Sequence, residues 1–222
     1  MIKKSNPVVL WGSTGHSKVL HECLLQQGYE VVALFDNNES VITSIPGVPL
    51  FYGDKGFKNW LEYYPDRHHV SCLVAIGGSR GKDRVKIQTY LRTPGLEPLI
   101  AIHPTAFVAN NVKIGLGSQV LAQTAVCAEA VLGEACIINT SASIDHECRL
   151  EEGVHVAPGA HLAGEVTVGP YAMIGTGATV LSRVRIGEGA IVGAGAVVVR
   201  NVPAYAVVVG CPAQWIKNVN QT

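Results

Sequence analysis

From residue 102 onward, the hydrophobic positions of the chain recur at every sixth residue. Each sixth position from Ile102 to Val198 holds Ile, Leu or Val, and the position four residues further on, from Ala106 to Val202, holds nothing larger than Val. An α-helix would spread a period of six around its whole surface, and a straight strand needs a period of two. A triangular coil of short strands accommodates both rows, because the aliphatic side chain points inward and the small one lies beside each corner. The pattern predicts a parallel β-helix with three hexads to a coil and about five stacked coils.

The first hundred residues instead alternate apolar runs with helical patterns. Val8–Trp11 and Val31–Phe35 are predicted as buried strands, and a third strand runs through residues 71–78. We expect one helix between the first two strands, ending at Gly28, and another over Lys82–Arg92. Strands that alternate with helices indicate a small parallel α/β sheet, resembling half of a Rossmann fold. The predicted domains are an α/β domain over residues 1–100 and a β-helix with a C-terminal cap over residues 101–222.

The turn between the first predicted strand and helix is a candidate phosphate site. Helix N-termini present free amides that bind phosphate well. The run from Gly12 to Lys18, GSTGHSK, meets neither the dinucleotide fingerprint G-x-G-x-x-G nor the P-loop spacing. These residues favour a mononucleotide or nucleotide-sugar pocket over an NAD site, and a purely structural turn is the alternative.

Two further features fall at the same predicted sheet edge. Asp36 ends the second strand, where its carboxylate could accept hydrogen bonds from a ribose or a base, or could equally cap a turn. Gly77 and Gly78 end the third strand. Because the carboxyl ends of parallel strands share one edge, these features predict one ligand-binding crevice.

Composition narrows the choice of partners. The 17 basic and 17 acidic residues give a net charge of zero, which argues against a general attraction to nucleic acid or an anionic membrane. No apolar run approaches the roughly 20 residues of a membrane span, and the N-terminal apolar stretch stops at Gly12, so no secretory signal is predicted. The cysteines show neither CxxC pairing nor metal-ligand spacing with His. We therefore expect buried thiols in a reducing cytoplasm and no metal site.

His146 and Glu147 fall at a predicted corner of the β-helix, outside the inward row. A histidine there can act as a general base near neutral pH, and the neighbouring carboxylate can orient the ring and stabilise its protonated form. A solvated pair without function is the alternative. Gly164 lies eighteen residues later, one coil above His146, where it would leave room for a ligand and offer an N–H to an oxyanion. His155 and His161 each precede an inward residue and could line a wall or decorate a face.

A resemblance to a known family rests on these segments. The runs NTSASIDHECRLEEGVHVAPGAHLAGEVTVG and VGAGAVVVRNVPAYAVVVGCPAQWIK resemble the bacterial sugar acetyltransferases of the hexapeptide-repeat superfamily. VLWGSTGHSKVL and LFDNN resemble its sialic-acid O-acetyltransferase and UDP-4-amino-sugar N-acetyltransferase subfamily. The resemblance implies a left-handed β-helix and a homotrimer with active sites between subunits. It also implies acetyl-CoA along the β-helix and a UDP-sugar held partly by the N-terminal domain. A flat exposed face rich in Val and Ala also predicts association into a trimer.

The resemblance assigns roles residue by residue. His146 would be the general base and Glu147 its partner, acting on the 4-amino group of a 4-amino-4,6-dideoxy sugar that attacks acetyl-CoA directly. The acetyl-CoA site would comprise His155, Gly164, Thr176 and Ala194, with Asn139 in the active-site wall. The nucleotide sugar would contact Thr14, Gly15, His16, Asp36, Asn37 and Gly77. Asn37 departs from the family, which often has a second acidic residue there, and this weakens the prediction of uracil. Sugar O-acetylation and a non-catalytic nucleotide-sugar-binding scaffold are the alternatives.

Overall fold

A computed structural model describes residues 6–64 and 69–219. The described residues form a parallel α/β sheet followed by a parallel β-helix, which confirms the predicted fold class. Lys3 and Lys4, which entered the argument about a secretory signal, lie outside the described residues, as do the last three residues of the predicted C-terminal cap.

The α/β domain is a five-stranded parallel sheet with strand order β3-β2-β1-β4-β5. Its strands are β1 (Asn6–Trp11), β2 (Tyr29–Asp36), β3 (Leu50–Tyr52), β4 (Ser71–Val74) and β5 (Glu97–Pro98). Its helices are α1 (Gly15–Gln26), α2 (Gly53–Tyr63) and α3 (Gly81–Arg92). The sequence predicts all of these except β3, α2 and β5. Apolar side chains pack in a separate cluster on each side of the sheet, so both faces are buried, as is usual for parallel strands.

Gly12 fixes the geometry where β1 ends beside β4. Its φ is +116°, and a Cβ at this position would lie 2.5 Å from the carbonyl oxygen of Ala75. Its amide donates to the carbonyl of Phe35 over 2.6 Å. Only glycine allows three chain segments to approach so closely, and this approach leaves an open crevice beyond the strand ends.

The β-helix is a triangular prism of three parallel sheets built mainly from two-residue strands. The domain-facing sheet contains β6 (Ala101–Ile102), β9 (Gln119–Val120), β12 (Ile137–Ile138), β15 (His155–Val156), β18 (Met173–Ile174), β21 (Ile191–Val192), β23 (Ala206–Val209) and the antiparallel β24 (Gln214–Asn218). The second sheet contains β7 (Phe107–Val108), β10 (Ala125–Val126), β13 (Ser143–Ile144), β16 (His161–Leu162), β19 (Thr179–Val180) and β22 (Val197–Val198). The third sheet contains β8 (Lys113–Ile114), β11 (Val131–Leu132), β14 (Arg149–Leu150), β17 (Thr167–Val168) and β20 (Arg185–Ile186).

The strand register confirms the predicted coil. Ile102 pairs with Val120 and Val120 pairs with Ile138, so one coil takes eighteen residues, or three hexads. The aliphatic row and the small row meet in one continuous core along the prism. Each Val, Leu or Ile fully buried in this way contributes about 1.5–3 kcal/mol, which explains why the repeat tolerates no polar residue in its inward aliphatic row.

The α/β domain rests on the domain-facing sheet. Leu121 and Ile137 of the β-helix are fully buried in the same cluster as Leu20 and Leu24 of α1. The prism edge between the second and third sheets is therefore the edge farthest from the α/β domain. That edge includes residues 145–148, between β13 and β14.

The expectation of uniformly buried thiols is wrong for two residues. All six cysteines are free, but Cys211 is exposed and Cys127 is only half-buried. Both lie outside the inward rows, so nothing in the repeat buries them. No helix in the described part of the chain is long and apolar enough to cross a membrane.

Candidate active site

A cavity of about 440 Å³ opens at the carboxyl ends of β1, β2 and β4, where the sequence predicts a crevice. It is lined by Trp11, Gly12, Thr14, Asp36, Asn37, Asn38, Val41, Ala75, Ile76, Gly77 and Arg80. Four of the residues predicted to contact a nucleotide sugar are among them: Thr14, Asp36, Asn37 and Gly77. Gly15 and His16 are not. The sequence analysis did not identify Trp11, Val41 or Arg80 as lining residues. Arg80 could have been found, because a cation between Gly78 and the start of a predicted helix indicates a candidate phosphate contact.

Asp36 both shapes the cavity and lines it. Its two carboxylate oxygens accept the amides of Ser13, over 2.8 Å, and of Asn38, over 2.9 Å. The turn-capping interpretation and the ligand-lining interpretation therefore hold together, because each oxygen keeps a further lone pair for a ligand.

The cavity also presents groups suited to phosphate. The side chain of Thr14, the N-cap residue of α1, makes no capping hydrogen bond, and the first turn contains no acidic residue. The positive end of the helix dipole therefore lies beside the cavity, at Thr14, and no acidic side chain of the helix itself offsets it. Arg80 adds a guanidinium, which is paired with Asp83 over 2.7 Å at the protein surface.

His16, which the resemblance assigns to the nucleotide sugar, does not line the cavity of its own chain and is directed towards the β-helix. Its Nε2 lies 2.7 Å from Oε1 of Gln119 in the β-helix, and the amide nitrogen of Gln119 donates to the carbonyl of Val74 over 2.9 Å. Burial lowers the pKa of His16, so the ring is neutral at neutral pH. Its role is to join the start of α1 to the β-helix.

His155 lies between the two domains and not on an open face. Only 5% of its surface is exposed. Its Nδ1 donates to the carbonyl of Gly78 over 3.3 Å, and its Nε2 accepts from Nδ2 of Asn139 over 3.2 Å. Burial, and secondly the charge of Arg84, lower the pKa of His155 to about 4. The two bonds fit a single neutral tautomer.

The buried neutral His155 predicts a pH-dependent stability. In the unfolded chain the ring titrates near 6.5, and in the folded chain near 4. Between these values the unfolded state binds more protons, so the free energy of unfolding is complete above pH 6.5 and falls as the pH drops towards 4. The expected loss from this residue is about 3 kcal/mol.

Denaturant unfolding of the wild type and of His155→Gln across pH 4–8 measures this loss. The variant should have a visibly flatter profile. His161→Gln is the matched control, because His161 is an exposed histidine of the neighbouring sheet, and it should keep the wild-type slope. Equal slopes for all three proteins would contradict the prediction.

Thr176 and Ala194, which the resemblance assigns to acetyl-CoA, are exposed at the edge between the domain-facing and second sheets. They lie one coil apart, and the amide of Gly195 donates to the carbonyl of Thr176 over 2.8 Å. Thr176 and Ala194 therefore form a strip of small side chains along this edge of the prism.

His146 and Glu147 occupy the edge farthest from the α/β domain. Nδ1 of His146 lies 3.1 Å from Oε2 of Glu147, and both side chains are about half-exposed, at 52% and 54%. The backbone amide of His146 donates to Oδ1 of Asp145 over 2.7 Å. With the proton on Nδ1 held by Glu147, Nε2 presents a free lone pair, which is the arrangement of a general base.

The space beside Gly164 is not open, although the sequence predicts room for a ligand there. A Cβ here would overlap Cε1 and Nε2 of His146, so the imidazole itself fills the room that was expected for a ligand. Within the described chain the amide of Gly164 donates to no other group, and it remains free for an oxyanion. Because Gly164 has no side chain, it leaves the space that the imidazole of His146 occupies.

Arg183 and Glu165 at this edge are paired with each other. Arg183 forms two hydrogen bonds with Oε1 of Glu165, over 2.9 and 3.0 Å, one coil above Glu147. Glu147 is the carboxylate that contacts the ring of His146, whereas Asp145 accepts from its backbone amide. A shallow cavity of about 300 Å³ on the second sheet, which Asp145 and His161 help to line, gives room beside this edge.

The structure therefore separates the two halves of the predicted site. The cavity belongs to the domain that covers the domain-facing sheet, whereas His146 lies on the opposite edge of the same prism. Within one chain they do not meet.

Two family models match the chain. The model "PglD N-terminal domain" covers residues 7–90, and "Bacterial transferase hexapeptide (six repeats)" covers residues 165–200. A curated GDP-perosamine N-acetyltransferase of Escherichia coli O157:H7 is 34% identical over 103 residues, which is 46% of this chain and 46% of that protein. The match thus spans about half the length of that relative.

Solved structures match almost the whole chain. PerB from Caulobacter crescentus, in complex with CoA and GDP-perosamine, is 38% identical with a TM-score of 0.86, covering 95% of this chain and 97% of that one. Two further structures of that enzyme have one histidine replaced by alanine or asparagine. The acetyltransferase domain of PglB from Neisseria gonorrhoeae, in complex with acetyl coenzyme A, is 31% identical with a TM-score of 0.83, covering 96% and 100%.

Proposed function

We propose, from the premise that this chain belongs to the family of hexapeptide-repeat sugar acetyltransferases with a PglD-type N-terminal domain, that it transfers acetyl from acetyl-CoA to an amine. The acceptor is the amino group of a nucleotide-linked 4-amino-4,6-dideoxy sugar. The proposal rests on the His146–Glu147 pair seated on Gly164. The cavity of about 440 Å³ at the sheet edge supports it by offering space for a nucleotide.

GDP is the first candidate for the nucleotide. The family resemblance pointed to UDP, but the Escherichia and Caulobacter relatives are named for GDP-perosamine. Asn37, at the position where the family often has a second acidic residue, lines the cavity and is consistent with a base other than uracil.

In the proposed reaction His146 acts as the base for a direct transfer. The sugar nitrogen forms a bond to the acetyl carbonyl carbon, and its proton passes to Nε2 of His146 while Glu147 stabilises the charged ring. The carbonyl oxygen gains negative charge, which the free amide of Gly164 is placed to stabilise. The carbon–sulfur bond then breaks, and the thiolate of CoA recovers a proton from His146. Thr176 and Ala194 offer their strip of small side chains to the extended arm of acetyl-CoA.

We further propose that each site is shared between two subunits of a homotrimer. His146 is on the edge farthest from its own cavity, so a second copy must bring a cavity to it. A head-to-tail contact repeated around a threefold axis closes into a ring of three. Each ring would then contain three equivalent sites.

A turnover assay against a panel of acceptors tests the function. The panel contains GDP-perosamine, a UDP-linked 4-amino-6-deoxy sugar and free sialic acid, each with acetyl-CoA, and mass spectrometry locates the new acetyl group. We expect an amide on the 4-amino sugar of the GDP-linked acceptor. An ester on sialic acid would instead support O-acetylation. Absence of both turnover and acetyl-CoA binding would support a non-catalytic scaffold.

The close contact between Gly164 and the imidazole of His146 predicts the effect of Gly164→Ala. The added methyl group must displace the imidazole, while the backbone at Gly164 does not need a positive φ, so the fold should survive. We expect kcat to fall by roughly 10-fold or more, because a base displaced by about 1 Å loses its alignment. Steady-state kinetics with circular dichroism measures both effects.

Ser182→Ala is the matched control, because Ser182 follows Gly164 in the same column one coil further on. It should leave kcat within about twofold of the wild type, as surface changes usually do. An active, folded Gly164→Ala enzyme with an unchanged kcat would show that His146 does not need this space.

A further inference from the structure

The loop at residues 76–78, which follows β4, has contacts on two sides. Ile76 and Gly77 line the cavity on one side. On the other, the carbonyl of Gly78 accepts from His155 of the β-helix, and the ring of His155 lies close to Gly77. The placement of this loop therefore determines how the cavity sits on the β-helix.

Arg84 reaches the same loop from α3. It is fully buried, and its guanidinium donates to four backbone carbonyls. One is the carbonyl of Ile76, over 2.9 Å; the others are in the β-helix, at Ala135 (2.7 Å), Gly153 (2.6 Å) and Val154 (3.4 Å). A single side chain thus joins the cavity loop to two successive coils.

No carboxylate pairs with Arg84 among the described residues. Burial lowers the pKa of its guanidinium to about 10, so it stays charged at neutral pH. A buried cation without an anion is a poor means of stabilising a fold, and an apolar side chain of similar length usually serves better. Its value lies in geometry, because the planar fork can hold several carbonyls in fixed directions at once.

A pair of glycines brings Arg84 into this position. A Cβ on Gly81, the first residue of α3, would overlap the carbonyl oxygen of Gly153, and a Cβ on Gly153 would lie 2.8 Å from the carbonyl oxygen of Gly81. The start of α3 therefore contacts the β-helix corner backbone to backbone, and Arg84 follows one turn later.

We propose that Arg84 is a positioning residue that ties the loop at residues 76–78 to the β-helix and so holds the bound nucleotide sugar in register with the site of transfer. This inference rests on the proposed function, in which the sugar is bound by the α/β domain while the chemistry occurs on the β-helix. A loose loop would bind the nucleotide sugar more weakly, because Ile76 and Gly77 line the cavity, and the amine would be aligned for a smaller fraction of the time.

Gln88 provides a matched comparison on the same helix. It is nearly as buried, and its side-chain amide donates to the carbonyl of Leu116 over 3.0 Å and to Glu134 over 3.1 Å. It thus links α3 to the β-helix as Arg84 does, but it makes no hydrogen bond to the cavity loop.

The test compares Arg84→Met, Arg84→Lys and Gln88→Met in the full-length protein. Hydrogen–deuterium exchange over residues 72–80 measures the loop, and kinetics measures kcat and both KM values. For Arg84→Met we expect roughly 10-fold faster exchange, a KM for the nucleotide sugar raised about 10-fold and a lower kcat, with the KM for acetyl-CoA within about twofold. Arg84→Lys should recover part of each change, and Gln88→Met should resemble the wild type.

The outcomes separate this inference from the proposed function. If the wild type neither binds GDP nor transfers acetyl, the proposed function fails, while the exchange data still decide whether Arg84 holds the loop. Wild-type exchange and KM in a folded Arg84→Met protein would overturn the positioning role, as would equal losses in Arg84→Met and Gln88→Met. If Arg84→Met does not fold, Arg84→Lys decides by the same exchange and KM measurements.

Discussion

Replacing His146 by alanine is expected to lower kcat by 100-fold or more while leaving the fold intact. The ring is half-exposed and contributes to no core, so the free energy of unfolding should change by less than about 0.5 kcal/mol. Loss of a positioned base removes proton transfer from the attacking amine, a step worth about 10²–10⁴ in rate. The KM of the nucleotide sugar should change little, because the residues that line the cavity bind the nucleotide and His146 acts only on the amine. Steady-state kinetics and denaturant unfolding measure the two quantities.

Two further variants test whether the loss of activity is specific to His146. Glu147→Gln should cost less than His146→Ala, because Glu147 orients and stabilises the base without taking the proton. His103→Ala removes a β-helix histidine whose Nδ1 lies 2.8 Å from Thr105, and it should have near wild-type activity. His146 would leave the mechanism if His146→Ala kept more than about a tenth of the wild-type kcat with chemistry rate-limiting.

The β-helix could be predicted from sequence because its determinants are local and repeated. Each hexad buries the same two positions, so the rows that pass through Ile102 and Ala106 repeat the same evidence for the fold many times. The sequence analysis did not predict α2, because this helix buries only one pair of residues and its pattern is not repeated. Its buried residues are Phe57 and Trp60 in an otherwise polar segment, and its N-cap residue, Tyr52, makes no capping bond.

The candidate site was predictable only in part. Strand ends place Asp36 and Gly77 at one edge by topology alone, and the hexad repeat places His146 at a corner. The direction of His16 depends on Gln119, which lies 103 residues away along the chain, and no local pattern encodes that contact. In the sequence, Arg84 looks like an ordinary charged residue of an amphipathic helix. Its burial could not be predicted, because it depends on how α3 packs against the β-helix.

Mixing two inactive variants is expected to restore activity if the site is shared between subunits. One variant is His146→Ala. The other is Thr14→Trp, which fills the cavity but removes no capping hydrogen bond, because the Thr14 side chain makes none. Each alone should be nearly inactive. Co-expressed trimers contain interfaces at which an intact His146 of one subunit faces an intact cavity of another.

The size of the recovery follows from the symmetry of the ring. With equal expression and random assembly, an interface works only when the Thr14→Trp chain supplies the base and the His146→Ala chain supplies the cavity. Every mixed ring, whichever variant it holds twice, contains one such interface out of three, so about a third of the wild-type activity per trimer should return. Co-purification with two affinity tags isolates the mixed trimers for the assay, and each single variant carried through the same purification serves as the control.

The same experiment distinguishes the alternative placements of the site. If His146 acted on a sugar bound by its own chain, every chain in the mixture would have one broken half, and activity would stay at the level of the single variants. A stable, active monomer would likewise exclude a shared site. A recovery near a third would instead require that the edge bearing His146 faces the cavity of another subunit. The separation of base and cavity on opposite sides of one prism would then be the reason why this chain must assemble in order to act.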